Sequence, residues 1–299
     1  MSEKKGIILA GGHGTRLYPT TKTVSKQILH VYDKPMIYYP LSTLMLAGIR
    51  DILIISTPEH MDLYKNLLGD GSDFGIFLQY KIQEEPKGLA QAFILGKDFI
   101  KKDKVVLILG DNIFHGEGLD LKIKSSLENN KGATVFGYAV NNPSQFGVIN
   151  FDQSGKPIEI EEKPKFPKSD YAVTGLYIYD NNVVEYAESL EPSSRGELEI
   201  TDINNIYLNN KKLNISKLGR GFAWLDTGTH ESLLEASQFV HVVEKRQGYK
   251  IACLEEVGMK NGWLDPQKIK AKLLKYPESS YSKYLIKVIS DNESTKNKT

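Results

Sequence analysis

The chain is 299 residues long, 40% hydrophobic and 25% charged, with 38 Lys and Arg against 37 Asp and Glu. That balance leaves no basic field to hold nucleic acid or an anionic membrane, and the length suits one large domain or two small ones. The single cysteine, Cys253, excludes an internal disulfide framework and a four-cysteine metal site; it reads as a buried, inert thiol in a reducing compartment.

In chain order, Lys4 and Lys5 precede an apolar run that stops at Gly11 and Gly12, too short for the core of a signal peptide. No later run approaches the ~18 apolar residues of a membrane span, so a cytoplasmic protein is expected. The runs at 6–10, 51–56, 77–82 and 104–110 read as buried strands, with segments of helical spacing between them. Gly48 and Gly69 stand where two of those helices should stop. Strands alternating with helices predict parallel strands joined by right-handed crossovers, hence a three-layer α/β/α sandwich. In such sheets ligands bind at the carboxyl ends of strands, which selects the glycine-rich turn after the first strand and the Gly110-Asp111-Asn112 stretch after the fourth.

Residues 146–164 alternate apolar and polar around a Ser-Gly turn, the pattern of an antiparallel hairpin. A strand near 171–180, helices at 182–190 and 202–209, a strand entering 222–228 and a long helix from His230 to about Gln247 are expected next. Two amphipathic helical stretches follow, then a polar end expected to fray. With no repeat and no Gly/Ser linker, the reading is one catalytic domain over 1–250 and a helical extension, 251–299, packed on it.

The turn ILAGGHGTRLYPTT, residues 8–21, is the most informative stretch. A Walker A loop needs a lysine where Gly12 stands, and a dinucleotide fingerprint needs a small residue where Leu17 stands, together with a later acidic residue. Both patterns fail. What remains is a loop whose main-chain amides approach an anion closely, with Arg16 as a donor fork, and a polyphosphate is the natural guest. The plain alternative is a tight strand-to-helix turn with a solvent-facing arginine.

The stretch from Gly6 to Ile49 resembles the amino-terminal signature of the sugar-phosphate nucleotidyltransferases. SSRGELEITDINNIYL (193–208) and GFAWLDTGTHESLLEAS (221–237) are similar to the glucose-1-phosphate thymidylyltransferases among them, and the resemblance runs from about residue 5 to about 290. It implies a mixed, mostly parallel Rossmann-like sheet and transfer of a thymidylyl group from dTTP to glucose 1-phosphate with Mg²⁺, giving dTDP-glucose and pyrophosphate. Deoxysugar and surface-polysaccharide synthesis is the implied setting, and a homotetramer with a second, regulatory sugar-nucleotide site the implied assembly. By the same resemblance Arg16 meets the leaving pyrophosphate, Lys26 the triphosphate and Lys163 the sugar phosphate, while Asp111 and Asp226 ligate the metal. Leu9, Gly11, Gly12, Gly14, Thr15, Gln27, Pro86, Gly88 and Asn112 join the substrate-binding set, with Gln83 reading the pyrimidine edge. Gly147, Glu162, Val173 and Tyr177 surround the hexose, and Arg195 and Thr201 lie near it.

The chemistry makes modest demands. A phosphate monoester is mostly a dianion at neutral pH, its second pKa being ~6, so no general base is required; in-line positioning, cations and a metal suffice. His13, beside the expected phosphates, is therefore expected to matter only through its main chain. Phe146 stands where relatives often carry a tyrosine, which removes a hydroxyl contact. Each assignment also has a plain alternative: the aspartates could cap helices and the lysines could be solvated. Two further functions stay open, a uridylyl transfer from UTP and a regulatory subunit that binds nucleotide without turnover.

Overall fold

The computed structural model describes residues 4–12, 14–274 and 278–296, with 292–296 described by backbone alone; His13 lies outside the described residues. Strand β1 (Lys4–Leu9) is central, flanked in parallel by β4 (Asp51–Ser56) and β6 (Lys104–Leu109), and β5 (Phe77–Ile82) extends the sheet beyond β4. Between β1 and β4 lie the two-residue strands β2 (His30–Val31) and β3 (Lys34–Pro35). The register sets Ile8 opposite Ile54 and Ile108, and Ile7 opposite Leu53 and Leu107. Alternate side chains of a strand point to opposite faces, so these near-continuous aliphatic runs feed two cores.

On one face Ile8, Ile54 and Ile108 pack with Leu41 and Leu44 of α1 (Tyr38–Leu46), Tyr64 and Leu68 of α2 (Pro58–Leu68), and Ile123 of a helix over Leu119–Asn129. On the other face Ile7, Leu53 and Leu107 meet Phe93 of α3 (Gln91–Leu95) and Ile100 of α4 (Lys97–Ile100). Numbering the helix at Leu119–Asn129 as α5, this second layer is completed by α6 (Val183–Glu188) and α7 (Ile200–Asn209). Three layers follow from the two-faced strands, as the periodicity predicts.

The sheet turns mixed beyond β6. Strand β7 (Asn112–His115) leaves it, and after β8 (Ala133–Ala139) the chain forms the hairpin β9 (Gly147–Phe151) and β10 (Pro157–Glu162) around the Ser-Gly turn. The long β11 (Tyr171–Tyr179) then runs antiparallel to β6, β8 and β9, and β12 (Leu213–Leu218) pairs with β8 in parallel. Finally β13 (Ala223–Asp226) pairs antiparallel with β7, placing Asp226 opposite Asn112.

Helix α8 (His230–Gln247) starts on a capping box between Thr229 and Ser232 and stops at Gly248, whose φ of 74° is the left-handed conformation glycine favours. It covers β2 and β3 and brings in a network of charges. Lys34, 2% exposed, bonds Glu244 at 2.9 Å and also Asp33; Lys250 bonds Glu244 at 3.2 Å and Asp33 in turn. The carboxyl-terminal helices are α9 (Leu254–Lys260), α10 (Pro266–Leu273) and α11 (Ser280–Lys296). Leu254 joins the main core, and Asn261 Nδ2 donates to the Met45 carbonyl at 2.8 Å, seating α9 on α1. Of the polar end expected to fray, 291–299, the stretch to Lys296 belongs to α11, in keeping with the absence of proline and glycine over 280–296, and 297–299 lie outside the described residues.

Candidate active site

Two aspartates far apart in sequence meet because β7 and β13 pair. Asp111 lies just before β7 and Asp226 ends β13; Thr227 then bonds the Asp111 carbonyl through both its N–H (3.2 Å) and its Oγ1 (2.8 Å). Lys26 Nζ donates to Asp111 Oδ2 at 2.5 Å, with the two side chains 8% and 20% exposed. Burial alone would raise the Asp111 carboxyl, but the Lys26 ammonium, together with the Asn112 amide, holds it below the ordinary carboxylate range. Among the described residues no cation lies so close to Asp226. Burial first, and the Asp111 charge second, push it up from 3.8 to about 6. Two carboxylates sharing a partly desolvated site, one of them strained as an anion, form a hard-oxygen donor pair suited to a divalent cation.

Asn112 fixes this corner. Its Nδ2 donates to Asp111 Oδ1 at 2.9 Å, while its Oδ1 accepts from Trp224 Nε1 at 2.6 Å and from the Gly175 N–H at 3.1 Å. A Cβ on Gly175 would lie 2.4 Å from that oxygen, which accounts for a glycine inside β11. The Asn112 side chain is 2% exposed, and these three bonds fix its orientation beside Asp111.

A cavity of about 530 Å³ opens at this end of the sheet. It gathers Arg16, Asp111, Asn112, Gly147, Glu162, Lys163, Val173, Tyr177 and Asp226 from the expected set, together with Phe146, Arg195 and Thr201. The Arg16 guanidinium lies against Gly228, where a Cβ would stand 3.0 Å from Nη1. Lys163 has a φ of 45°, a left-handed value that is unusual for a lysine, and its N–H donates to the Phe146 carbonyl at 3.0 Å. Glu162 Oε2 accepts from Thr201 Oγ1 at 2.5 Å, and Arg195 bonds Glu199 through two nitrogens at 3.0 and 2.8 Å. Gly147 lies beside the Glu162–Thr201 pair, where a Cβ would stand 3.3 Å from Thr201 Oγ1 and 3.4 Å from Glu162 Oε2.

The remaining expected residues lie outside that lining. Gly12 and Gly14 adopt φ of 99° and 57°, so the turn needs both glycines. Gly14 begins a short turn through the exposed Thr15 and Arg16. Leu9 is a core side chain whose carbonyl accepts from the Gly110 N–H at 2.9 Å. Gln27 is 5% exposed and its Oε1 accepts from Ser25 Oγ at 2.8 Å and Tyr64 OH at 3.2 Å, so it braces the loop from beneath. Pro86 is exposed, while Gln83 is 2% exposed and bonded to Gln91. Gly88 has its own structural reason: at φ 103° a Cβ would lie 2.4 Å from the Leu198 carbonyl oxygen.

Sequence reasoning passed over several lining residues. Trp224 stands two positions before Asp226 on a strand, hence on the same face, which was a legible signal. Glu199 stands four after Arg195, an ion-pair spacing, although it precedes α7. Leu89 and Gln145 also line the cavity, and nothing in their local sequence singles them out.

Comparison with known proteins agrees with this geometry. A glucose-1-phosphate thymidylyltransferase of Neisseria meningitidis serogroup A is 58% identical over 285 residues, covering 95% of this chain and 99% of that protein. The protein of the same name from Xanthomonas campestris is 55% identical, with 95% and 97% covered. Among solved structures, a Bacillus anthracis protein described as a glucose-1-phosphate thymidylyltransferase, in complex with a sucrose, superposes with a TM-score of 0.74 at 47% identity, covering 79% of this chain and 94% of that one. An apo UDP-glucose pyrophosphorylase superposes with a TM-score of 0.69 at 25% identity, covering 82% and 99%. Residues 5–242 match the nucleotidyl transferase family model, and with a three-layer fold whose sheet carries a carboxylate pair beside cationic side chains at one end, the chain belongs to the nucleotidyl transferase family.

Proposed function

We propose that this protein is a glucose-1-phosphate thymidylyltransferase, transferring a thymidylyl group from dTTP to glucose 1-phosphate and releasing pyrophosphate. The observation that carries the reading is the β7–β13 pairing, which sets Asp111 and Asp226 in one cavity with Arg16 and Lys163. The relatives named for this activity at 55–58% identity supply the substrate pair.

The bond formed joins a phosphate oxygen of glucose 1-phosphate to the α-phosphorus of dTTP, and the bond broken releases pyrophosphate. The nucleophile is already anionic at neutral pH, so the residues need only overcome repulsion between polyanions and hold the attack in line. In this reading Lys163 holds the sugar phosphate, Arg16 takes the charge growing on the leaving pyrophosphate, and Lys26 neutralises the triphosphate. Glu162, tied to Thr201 beside Gly147, accepts from sugar hydroxyls. Gln83 reads the pyrimidine, and the amides of Gly11, Gly12, Gly14 and Thr15 line the triphosphate path. Asp111 and Asp226 would hold a divalent ion, Mg²⁺ in our reading, which when bound neutralises phosphate charge where phosphorus changes partner.

Incubation with dTTP, glucose 1-phosphate and Mg²⁺ is expected to release pyrophosphate, and Asp111→Asn to reduce the rate by at least about a hundredfold. Full turnover in that variant would remove the carboxylate pair from the mechanism. Discrimination from UTP rests on one methyl group, about 1–3 kcal/mol, so a smaller but measurable rate with UTP is expected. Among the described residues no helix is long and apolar enough to cross a membrane. In our reading the protein works in the cytoplasm, in deoxysugar synthesis. We also propose that 1–250 performs the chemistry while 251–299 braces α1, and that the protein is a homotetramer with a second sugar-nucleotide site. A monomer by light scattering would remove that assembly.

A further inference from the structure

At the nucleotide end, on the reading above, the base is recognised by the Gln83 amide. A carboxamide has two unlike ends, an accepting oxygen and a donating nitrogen, and half a turn about its last torsion reverses the pattern it presents. Which end faces the base therefore decides which pyrimidine fits.

The orientation can be worked out from a neighbour. Gln91, the first residue of α3, receives the main-chain N–H of Lys87 at 2.9 Å. A main-chain N–H only donates, so the Gln91 atom beside it must be the oxygen, Oε1. That same oxygen accepts from Gln83 Nε2 at 2.7 Å. The Gln83 nitrogen is thereby committed to the Gln91 side, and its oxygen is turned toward the glycine-rich loop. A Cβ on Gly11 would lie only 2.1 Å from this oxygen, and Gly11 is not among the residues with a left-handed φ. Close approach by Gln83, rather than main-chain conformation, thus explains why position 11 lacks a side chain.

We propose that Gln91 is a positioning residue that locks the Gln83 carboxamide in the orientation that accepts a pyrimidine with a ring N–H and carbonyls, and rejects one with an exocyclic amine. The proposal rests on the base-reading role given to Gln83. In this orientation Gln83 Oε1 can accept the N3–H of thymine or uracil while its second Nε2 hydrogen reaches a ring carbonyl. Cytosine offers an acceptor at N3 and a donor at N4, so both pairings would fail. Turning the Gln83 amide to suit cytosine would set its oxygen against Gln91 Oε1. Turning Gln91 as well would set an amide nitrogen against the Lys87 N–H. The chain of bonds ends in main chain that is itself fastened, because the Leu198 N–H donates to the Lys87 carbonyl at 2.8 Å and the Ala90 N–H to the Leu198 carbonyl at 3.2 Å.

Two substitutions separate the lock from simple packing. Gln91→Met keeps the shape and removes the acceptor, whereas Gln91→Glu keeps an oxygen for both donors. The ratio of kcat/KM for dTTP over dCTP is expected to fall by about tenfold or more in Gln91→Met, with kcat for dTTP little changed, and to be preserved in Gln91→Glu. The dissociation constants of both nucleotides, measured by calorimetry without sugar phosphate, are expected to follow the same pattern, so a protein that bound dTTP without turnover would still report on the lock. An unchanged ratio in Gln91→Met, or an equal fall in both variants, overturns the proposal while leaving the transferase reading intact. Binding of neither nucleotide by the unaltered protein overturns that reading and the lock together.

Discussion

The carboxylate pair at the heart of the site should be a source of instability, and Asp226→Asn tests this directly. In the metal-free protein Asp226 is pushed from 3.8 to about 6 by burial and by the neighbouring Asp111 charge. Its ionised form is therefore disfavoured in the folded state by roughly 3 kcal/mol relative to the unfolded chain, as an upper figure. The sign is that of a carboxyl raised on folding: the penalty is fully present above about pH 6 and relieved as pH falls toward the unfolded value near 3.8. Asp226→Asn removes the charge while keeping the shape. Thermal unfolding in EDTA at pH 8 should show the variant more stable by about 2–3 kcal/mol, a rise in Tm of at least about 4 °C, with roughly half of the gap remaining at pH 5. Added Mg²⁺ should stabilise the unaltered protein and not the variant, because an ion that binds only the folded state shifts unfolding by mass action. A variant less stable than the parent, or a gap independent of pH, would refute the reasoning.

Two further substitutions test the scaffold. Asn112→Leu strands the Trp224 indole N–H and the Gly175 N–H inside the protein and frees the Asp111 carboxylate, so denaturant unfolding should show a loss of about 3 kcal/mol or more; a loss below about 0.5 kcal/mol would mean the clamp is unimportant. Gly88→Ala would drive a Cβ to 2.4 Å from the Leu198 carbonyl oxygen at φ 103°, for a strain of about 1–3 kcal/mol. Because that loop carries the Gln83 lock, a raised KM for dTTP with kcat little changed is expected in steady-state kinetics, and an unaltered KM would separate the loop from nucleotide binding.

The chain by itself determined the layer architecture, because Ile7, Ile8, Leu53 and Ile54 lie in unbroken aliphatic runs that must be buried on both faces, and such runs predict covered, largely parallel strands. It also marked the glycine-rich turn, since Gly12 and Gly14 adopt backbone angles that other residues avoid, and the hairpin around its Ser-Gly turn. Those are local properties, written in consecutive residues. The partnership of Asp111 with Asp226, the clamp of Asn112 on Trp224 and Gly175, and the acceptor that Gln91 offers to Gln83 were decided by tertiary structure. The first two depend on which strands pair and in what register, and a one-residue slip between β7 and β13 would turn Asp226 to the other face; the third depends on how the loop after β5 folds back on α3. Hydrophobic periodicity says which face of a strand is buried but not which strand lies beside it, because a strand of the same pattern can pair with several neighbours. Only closing the sheet brings the charges and amides within bonding distance.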